Sequence, residues 1–138
     1  LPAALQHLAA EVGQASGMAI DAPVRGTPRP LPDDVVTVLF RIAQEALTNI
    51  VKHARAARVE LALAFGADGG VSLDVTDDGA GFDVAAVQRD PRRGLGLRSM
   101  RERLAAVGGQ LEIESSPGHG VQLRALLPAR ALAAGAPT

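Results

Sequence analysis

The chain has 138 residues, 47% hydrophobic and 21% charged, with 14 Lys and Arg against 15 Asp and Glu. It can bury a core unaided, but it lacks the basic excess and, with three Phe as its only aromatics, the stacking surface of a general nucleic-acid binder. Cysteine is absent, which excludes disulfide frameworks, thiolate metal sites and cysteine nucleophiles, and no run reaches the roughly 18 apolar residues of a membrane span.

No signal sequence opens the chain, so a soluble piece is expected, and a start at Leu1 rather than Met suggests a segment of something longer. Leu5, Leu8, Ala9 and Val12 recur at helical spacing, predicting a short amphipathic helix over 2–16 that weakens at Gly13 and Gly17. A brief strand fits Met18 to Val24, and Gly26, Pro28, Pro30 and Pro32 then enforce a loop. Asp33 and Asp34 offer capping side chains and negative charge ahead of the apolar series Val36, Leu39, Ala43, Ala46, Leu47 and Ile50, which predicts a helix over 34–54.

From Arg58 the period becomes two. Val59, Leu61, Leu63 and Phe65 predict one strand, Val71, Leu73 and Val75 another, and the Gly-Asp turn between them makes an antiparallel hairpin. Residues 78–96 show little periodicity. Leu97, Met100, Leu104 and Val107 then mark a helix beginning near Leu97 and ended by Gly108 and Gly109. A second hairpin follows, from Leu111 and Ile113 through the turn at 116–120 to Val121, Leu123, Ala125 and Leu127, and the Ala-rich end, 129–138, reads as a frayed tail. Helices and strands in separate blocks predict an α+β two-layer sandwich, a mixed sheet with helices packed on one face, as a single domain over 1–128.

On a helical wheel Arg41, Glu45, Asn49 and Lys52 fall within about 80° of one another, on the flank of the apolar arc of the 34–54 helix. A solvated face explains charged residues there. Two details favour chemistry: Lys52 is the only Lys in the chain, and Asn49 sits in mid-helix, where Asn has poor propensity. The second cluster is Asp77-Asp78-Gly79-Ala80-Gly81-Phe82, directly after a strand. A hairpin turn also uses Asp and Gly, but a basic stretch, Gly94-Leu95-Gly96 and a helix follow, an arrangement suited to close approach of a phosphate. Residues 89–103 hold six Arg against Asp90 and Glu102, a local charge of +4. No G-x-x-x-x-G-K-[ST] or G-x-G-x-x-G is present. Gly118-His119-Gly120 alone reads as a hairpin turn, and His7, without an acidic neighbour, His53 and His119 are too scattered for a metal cluster. No G-x-S-x-G elbow marks a Ser nucleophile.

Taken in order, these motifs resemble the catalytic ATP-binding domain of sensor histidine kinases, in the superfamily that includes gyrase, Hsp90 and MutL. The resemblance runs from about Leu31 to Pro128. Glu45-Ala46-Leu47-Thr48-Asn49-Ile50-Val51-Lys52-His53 is similar to the N box, and 77–82 to the first glycine box. Gly94-Leu95-Gly96-Leu97 resembles the second glycine box and Gly118-His119-Gly120-Val121 the third. The string from Phe40 to Asn49 and the short interval between Phe82 and Gly94 look most like the nitrate-sensor and lipid-fluidity-sensor kinases, whose ATP lid is brief.

The resemblance implies that Asp77 accepts a hydrogen bond from the adenine amino group and that Asn49 ligates Mg²⁺ as ATP binds. It implies catalytic roles for Glu45, orienting water or acting as base, and for Lys52, facing phosphate oxygens with His53. Gly79, Gly81, Phe82, Gly118 and Gly120 would line the nucleotide, as would Gly94, Leu95, Gly96 and Leu97, with Gly94 and Gly96 hinging a lid. The acceptor histidine of such kinases lies in an H-[DE] context on a dimerisation domain, and His7 is followed by Leu8. The expected partners are therefore that phosphoacceptor domain, outside this chain, and a response regulator. The domain itself is expected to be cytoplasmic and monomeric, without direct membrane contact, within a parent that could be membrane-anchored. An anti-sigma-factor serine kinase and a non-catalytic nucleotide or protein-interaction module are the alternative readings.

Overall fold

The computed structural model describes residues 1–53, 56–80, 86, 89–90, 93–115 and 117–134; in residues 53, 93–95 and 133–134 only the backbone is described. Helix α1 (Pro2–Ser16) opens with Pro in its first turn and closes on Gly17, whose φ of 77° is the left-handed conformation glycine accepts most readily. His7 does have an acidic neighbour: Glu11, one turn on, lies 3.1 Å from its Nε2. The i,i+4 spacing brings the two side chains together on the helix surface.

The expected single strand over Met18 to Val24 is two short ones, β1 (Ala19–Asp21) and β2 (Val24–Arg25), both parallel to β3 (Arg58–Phe65). Helix α2 (Asp33–His53) starts as its acidic first turn foretells, with Asp34 Oδ1 accepting from the Val35 amide at 2.8 Å. Strands β3 and β4 (Val71–Asp77) form the expected antiparallel hairpin, in which Asp68 Oδ1 accepts from the Gly70 amide at 2.9 Å.

Helix α3 (Arg93–Ala106) begins four residues before Leu97 and so takes Gly94 and Gly96 into its first turn. Glycine there costs about 1 kcal/mol relative to Ala. Burial of Leu97, Met100 and Leu104, each at 5% exposure or less, outweighs that cost. Strands β5 (Gln110–Ser115) and β6 (Val121–Leu127) make the second hairpin. The expected frayed tail is corrected in part: Ala129–Ala134 forms a short helix, α4, with Ala131 and Leu132 packed on the core, and 135–138 lie outside the described residues.

The sheet order is β1-β3-β4-β6-β5, with β2 also beside β3, and it is mixed because β1 and β2 run parallel to β3 while the other pairs are antiparallel. Alternation places Leu61, Leu63, Leu73, Val75, Leu123 and Ala125 on one face, where they meet Leu5 and Leu8 of α1, Leu39, Ile42 and Leu47 of α2, and Met100 and Leu104 of α3. The other face is polar, with Arg124 Nε 2.8 Å from Asp74 Oδ1 and Arg25 2.9 Å from Glu60. The α+β reading with helices on one face therefore holds, and the registry sets Val59, Asp77, Val121 and Ser115 in one row across the sheet. The short connection from α2 to β3 arrives at that same end.

Candidate functional site

Asp77 is the last residue of β4 and points to the helix-covered face, where it is only 5% exposed. Its Oδ1 accepts from the Gly79 amide at 2.7 Å, while Oδ2 is the one buried side-chain nitrogen or oxygen without a partner among the described residues. Such an atom is costly to leave unpaired, and as a pure acceptor it is suited to a ligand donor. Burial raises the Asp77 carboxyl above its ordinary value, the nearby Asp78 charge adds to the rise, and the Gly79 amide and, more weakly, the Val121 amide oppose it.

The β5–β6 turn closes on this residue. Gly118 and Gly120 both have positive φ, at 82° and 71°, and the Gly118 amide donates to the Ala80 carbonyl. A Cβ on Gly120 would sit 2.2 Å from the Asp77 carbonyl oxygen, so no side chain fits there without moving β4. The segment expected to be a turn is a turn, and it packs against the backbone of the residue that carries the buried carboxylate. Asp77, Gly79, Gly118 and Gly120 are thus brought together, and Gly81 and Phe82 lie outside the described residues.

The sequence reading gave Asp78 no role, yet its Oδ1 accepts from the amides of Ala57 and Arg58, both at 2.9 Å, tying the α2–β3 connection to the glycine loop. These bonds, that of Arg58 foremost, hold its carboxyl below the ordinary value. A depressed carboxyl contributes stability above its unfolded pKa and loses it as pH falls through the folded one. Asp78→Ala should therefore lower the melting temperature at pH 7, by an amount that shrinks as the solution is acidified. A loss of the same size at every pH would dissociate the effect from this carboxylate.

Two other expected residues meet across the α2–α3 interface. Glu45 and Gly96 line a hollow of about 50 Å³ with Arg41, Ile42, Ser99, Met100 and Arg103. Asn49, one turn further along α2, is half-buried, and Leu97 is buried at 5% exposure. Lys52 is exposed and lines a different groove, between α1 and α2, with Val12, Ala15 and Val51. Gly94 and Leu95 belong to the first turn of α3; the side chains of Leu95 and His53 lie outside the described residues. A larger hollow of about 450 Å³, lined by Gly66, Asp68, Gln110 and Arg130, lies at the opposite end of the sheet from Asp77. No group of three or more His, Asp or Glu that could hold a metal occurs among the described residues.

A helix layer on a mixed sheet, with a buried carboxylate at a strand end and a glycine turn folded against that end, defines a two-layer α+β domain with a candidate ligand site. The family model for histidine kinase-, DNA gyrase B- and HSP90-like ATPases matches residues 34–131, and the chain belongs to that family as the ATP-binding domain of the sensor histidine kinase type. It is 37% identical over 128 residues to the sensor histidine kinase MctS of Rhizobium johnstonii, covering 93% of this chain and 27% of that protein. Sensor histidine kinase LiaS of Bacillus subtilis is 38% identical over 90 residues, covering 65% of this chain and 24% of LiaS. The chain thus spans under a third of the length of these curated relatives. The fold is shared with the ATP-binding domain of PrrB from Mycobacterium tuberculosis, at TM-score 0.69 and 24% identity over 92% of each chain. The histidine kinase domain of a blue-light activated kinase from Erythrobacter litoralis superposes at TM-score 0.74 and 23% identity, covering 96% of this chain and 65% of that one. Among the described residues no helix is long and apolar enough to cross a membrane.

Proposed function

We propose that this domain binds Mg-ATP and donates the γ-phosphoryl group to a histidine on a phosphoacceptor domain, within a kinase that signals to a response regulator. The observation that carries the reading is the unpaired, buried Oδ2 of Asp77, whose Oδ1 is held by the Gly79 amide and whose backbone lies against Gly120. It offers an acceptor to a donor such as the adenine amino group, and the missing side chain at Gly120 lets the β5–β6 turn lie against the Asp77 backbone. Asn49 would offer an amide oxygen, a hard donor for Mg²⁺, and Glu45 on the same helix would orient water or accept a proton at its carboxylate. Bound Mg-ATP supplies an activated phosphoryl group whose charge the cation offsets, which leaves positioning as the work of the chain. Lys52 lies on another groove, so the reading rests on Asp77, Asn49 and Glu45 without it.

The relatives named as sensor histidine kinases favour histidine over serine as acceptor. The short lid proposed from the sequence, in the manner of the nitrate-sensor and lipid-fluidity-sensor kinases, belongs to the same reading. Phosphorylation of an added phosphoacceptor domain, with a product labile to acid, tests it; an acid-stable phosphoserine product would reject it. Asn49→Ala should abolish the tightening of ATP binding by Mg²⁺, measured by calorimetry with and without the cation. Persistence of that tightening would take Asn49 out of the site.

A further inference from the structure

We infer that Gly96 is a positioning residue for Glu45: the missing side chain in the first turn of α3 is the seat that holds the Glu45 carboxylate. The inference rests on the proposed function and gives the second glycine segment a role other than a lid hinge.

A Cβ built on Gly96 would lie 3.2 Å from Glu45 Oε1, the one atom outside its own helix within 4 Å among the described residues. That separation is tighter than ordinary van der Waals contact, so a methyl group would shift the end of the exposed Glu45 side chain by a few tenths of an ångström from its place. The backbone around the seat is held firmly. Ile42 on α2 and Met100 on α3 line the same hollow and are 1% and 2% exposed, so neither helix can withdraw without opening the core. The first turn of α3 also carries amides without helical partners, and a carboxylate beside that end is electrostatically favoured. Among the described residues Glu45 forms no ion pair, although Arg41 lies one turn before it and Arg103 lines the same hollow. Among the described residues the carboxylate is therefore placed by its contact with Gly96 rather than by a guanidinium clamp.

A glycine that merely lets two helices approach would cost stability when replaced; a seat for a working carboxylate makes a different set of demands. In the ligand-free chain, the Gly96 amide resonance should move as Glu45 is protonated in an NMR pH titration, and the movement should vanish in Glu45→Gln. With ATP and an added phosphoacceptor domain, Gly96→Ala should lower kcat about tenfold and leave KM for ATP within about twofold. Glu45→Asp withdraws the carboxylate by one methylene, so the double variant should lose about tenfold, where independent effects would give about a hundredfold.

A Gly96 amide indifferent to Glu45 would overturn the inference, as would losses that multiply in the double variant. A rise in KM with unchanged kcat would also overturn it, because Gly96 would then be making room for nucleotide. A wild-type chain that binds no ATP would sink the functional reading alone, since the ligand-free titration answers the question about Gly96 by itself.

Discussion

Asp77→Asn is expected to weaken ATP binding by about 1–3 kcal/mol while leaving the ligand-free domain at least as stable as the parent. The two halves of that result have one cause. Asn keeps an oxygen for the Gly79 amide but sets an NH₂ where the unpaired Oδ2 lies, so a ligand amino group meets a donor instead of an acceptor. The ligand-free fold loses nothing by this, because burial raises the Asp77 carboxyl above its ordinary 3.8. A carboxyl raised on folding contributes stability that is full below its unfolded pKa and disappears as pH climbs through the folded value. At neutral pH the ionised group therefore weighs against folding, and the neutral amide relieves it. The stability advantage of the variant should be largest near pH 7 and close as pH falls through the folded pKa of Asp77. Calorimetry with ATP and thermal melts from pH 4 to 8 check both halves. Unchanged affinity would remove the donor assignment, and a variant less stable at pH 7 would mean that the ionised carboxylate is favoured by folding.

The parts of this site that could be read from the sequence are those in which a residue's chemistry is independent of its neighbours. Asp77 and Asn49 stood out by type and place, and α2 and the β3–β4 hairpin followed from periods of 3.6 and 2. What escaped depends on distances across the fold. Asp78 had the look of a turn residue until its two amide donors, about 20 positions earlier in the chain, were seen to come from the α2–β3 connection. Gly94 and Gly96 suggested a break before α3, yet tertiary packing of Leu97, Met100 and Leu104 extends the helix through them. The Ala-rich end has no polar punctuation to start a helix, and α4 forms where Ala131 and Leu132 find the core. On the wheel Lys52 shares a stripe with Glu45, but the wheel carries no account of α1, whose groove Lys52 lines.

Gly118→Ala and Gly120→Ala should differ sharply, though both glycines lie in one turn with φ of 82° and 71°. Each substitution imposes the left-handed penalty of an L-residue, about 1–2 kcal/mol. At Gly118 nothing among the described residues lies within 4 Å of an added Cβ, so the penalty stops there. At Gly120 the same methyl group would meet the Asp77 carbonyl oxygen at 2.2 Å and the Asp78 Cα at 3.5 Å, and neither is the end of a side chain that can swing away. Relief requires β6 and β4 to part at the registry pair Asp77 and Val121, at the strand end that presents the buried carboxylate. Gly120→Ala should therefore lose about 3–5 kcal/mol in urea unfolding, clearly more than Gly118→Ala. Where the variant remains folded, its ATP affinity should fall as well, while Gly118→Ala keeps most of its binding. Equal losses in the two variants would mean that the turn moves away freely and that its closeness to Asp77 plays no part in shaping the site. A stability loss at Gly120 with ATP affinity intact would separate the wall from the ligand, and the reading of Asp77 as a nucleotide acceptor would then have to stand without it.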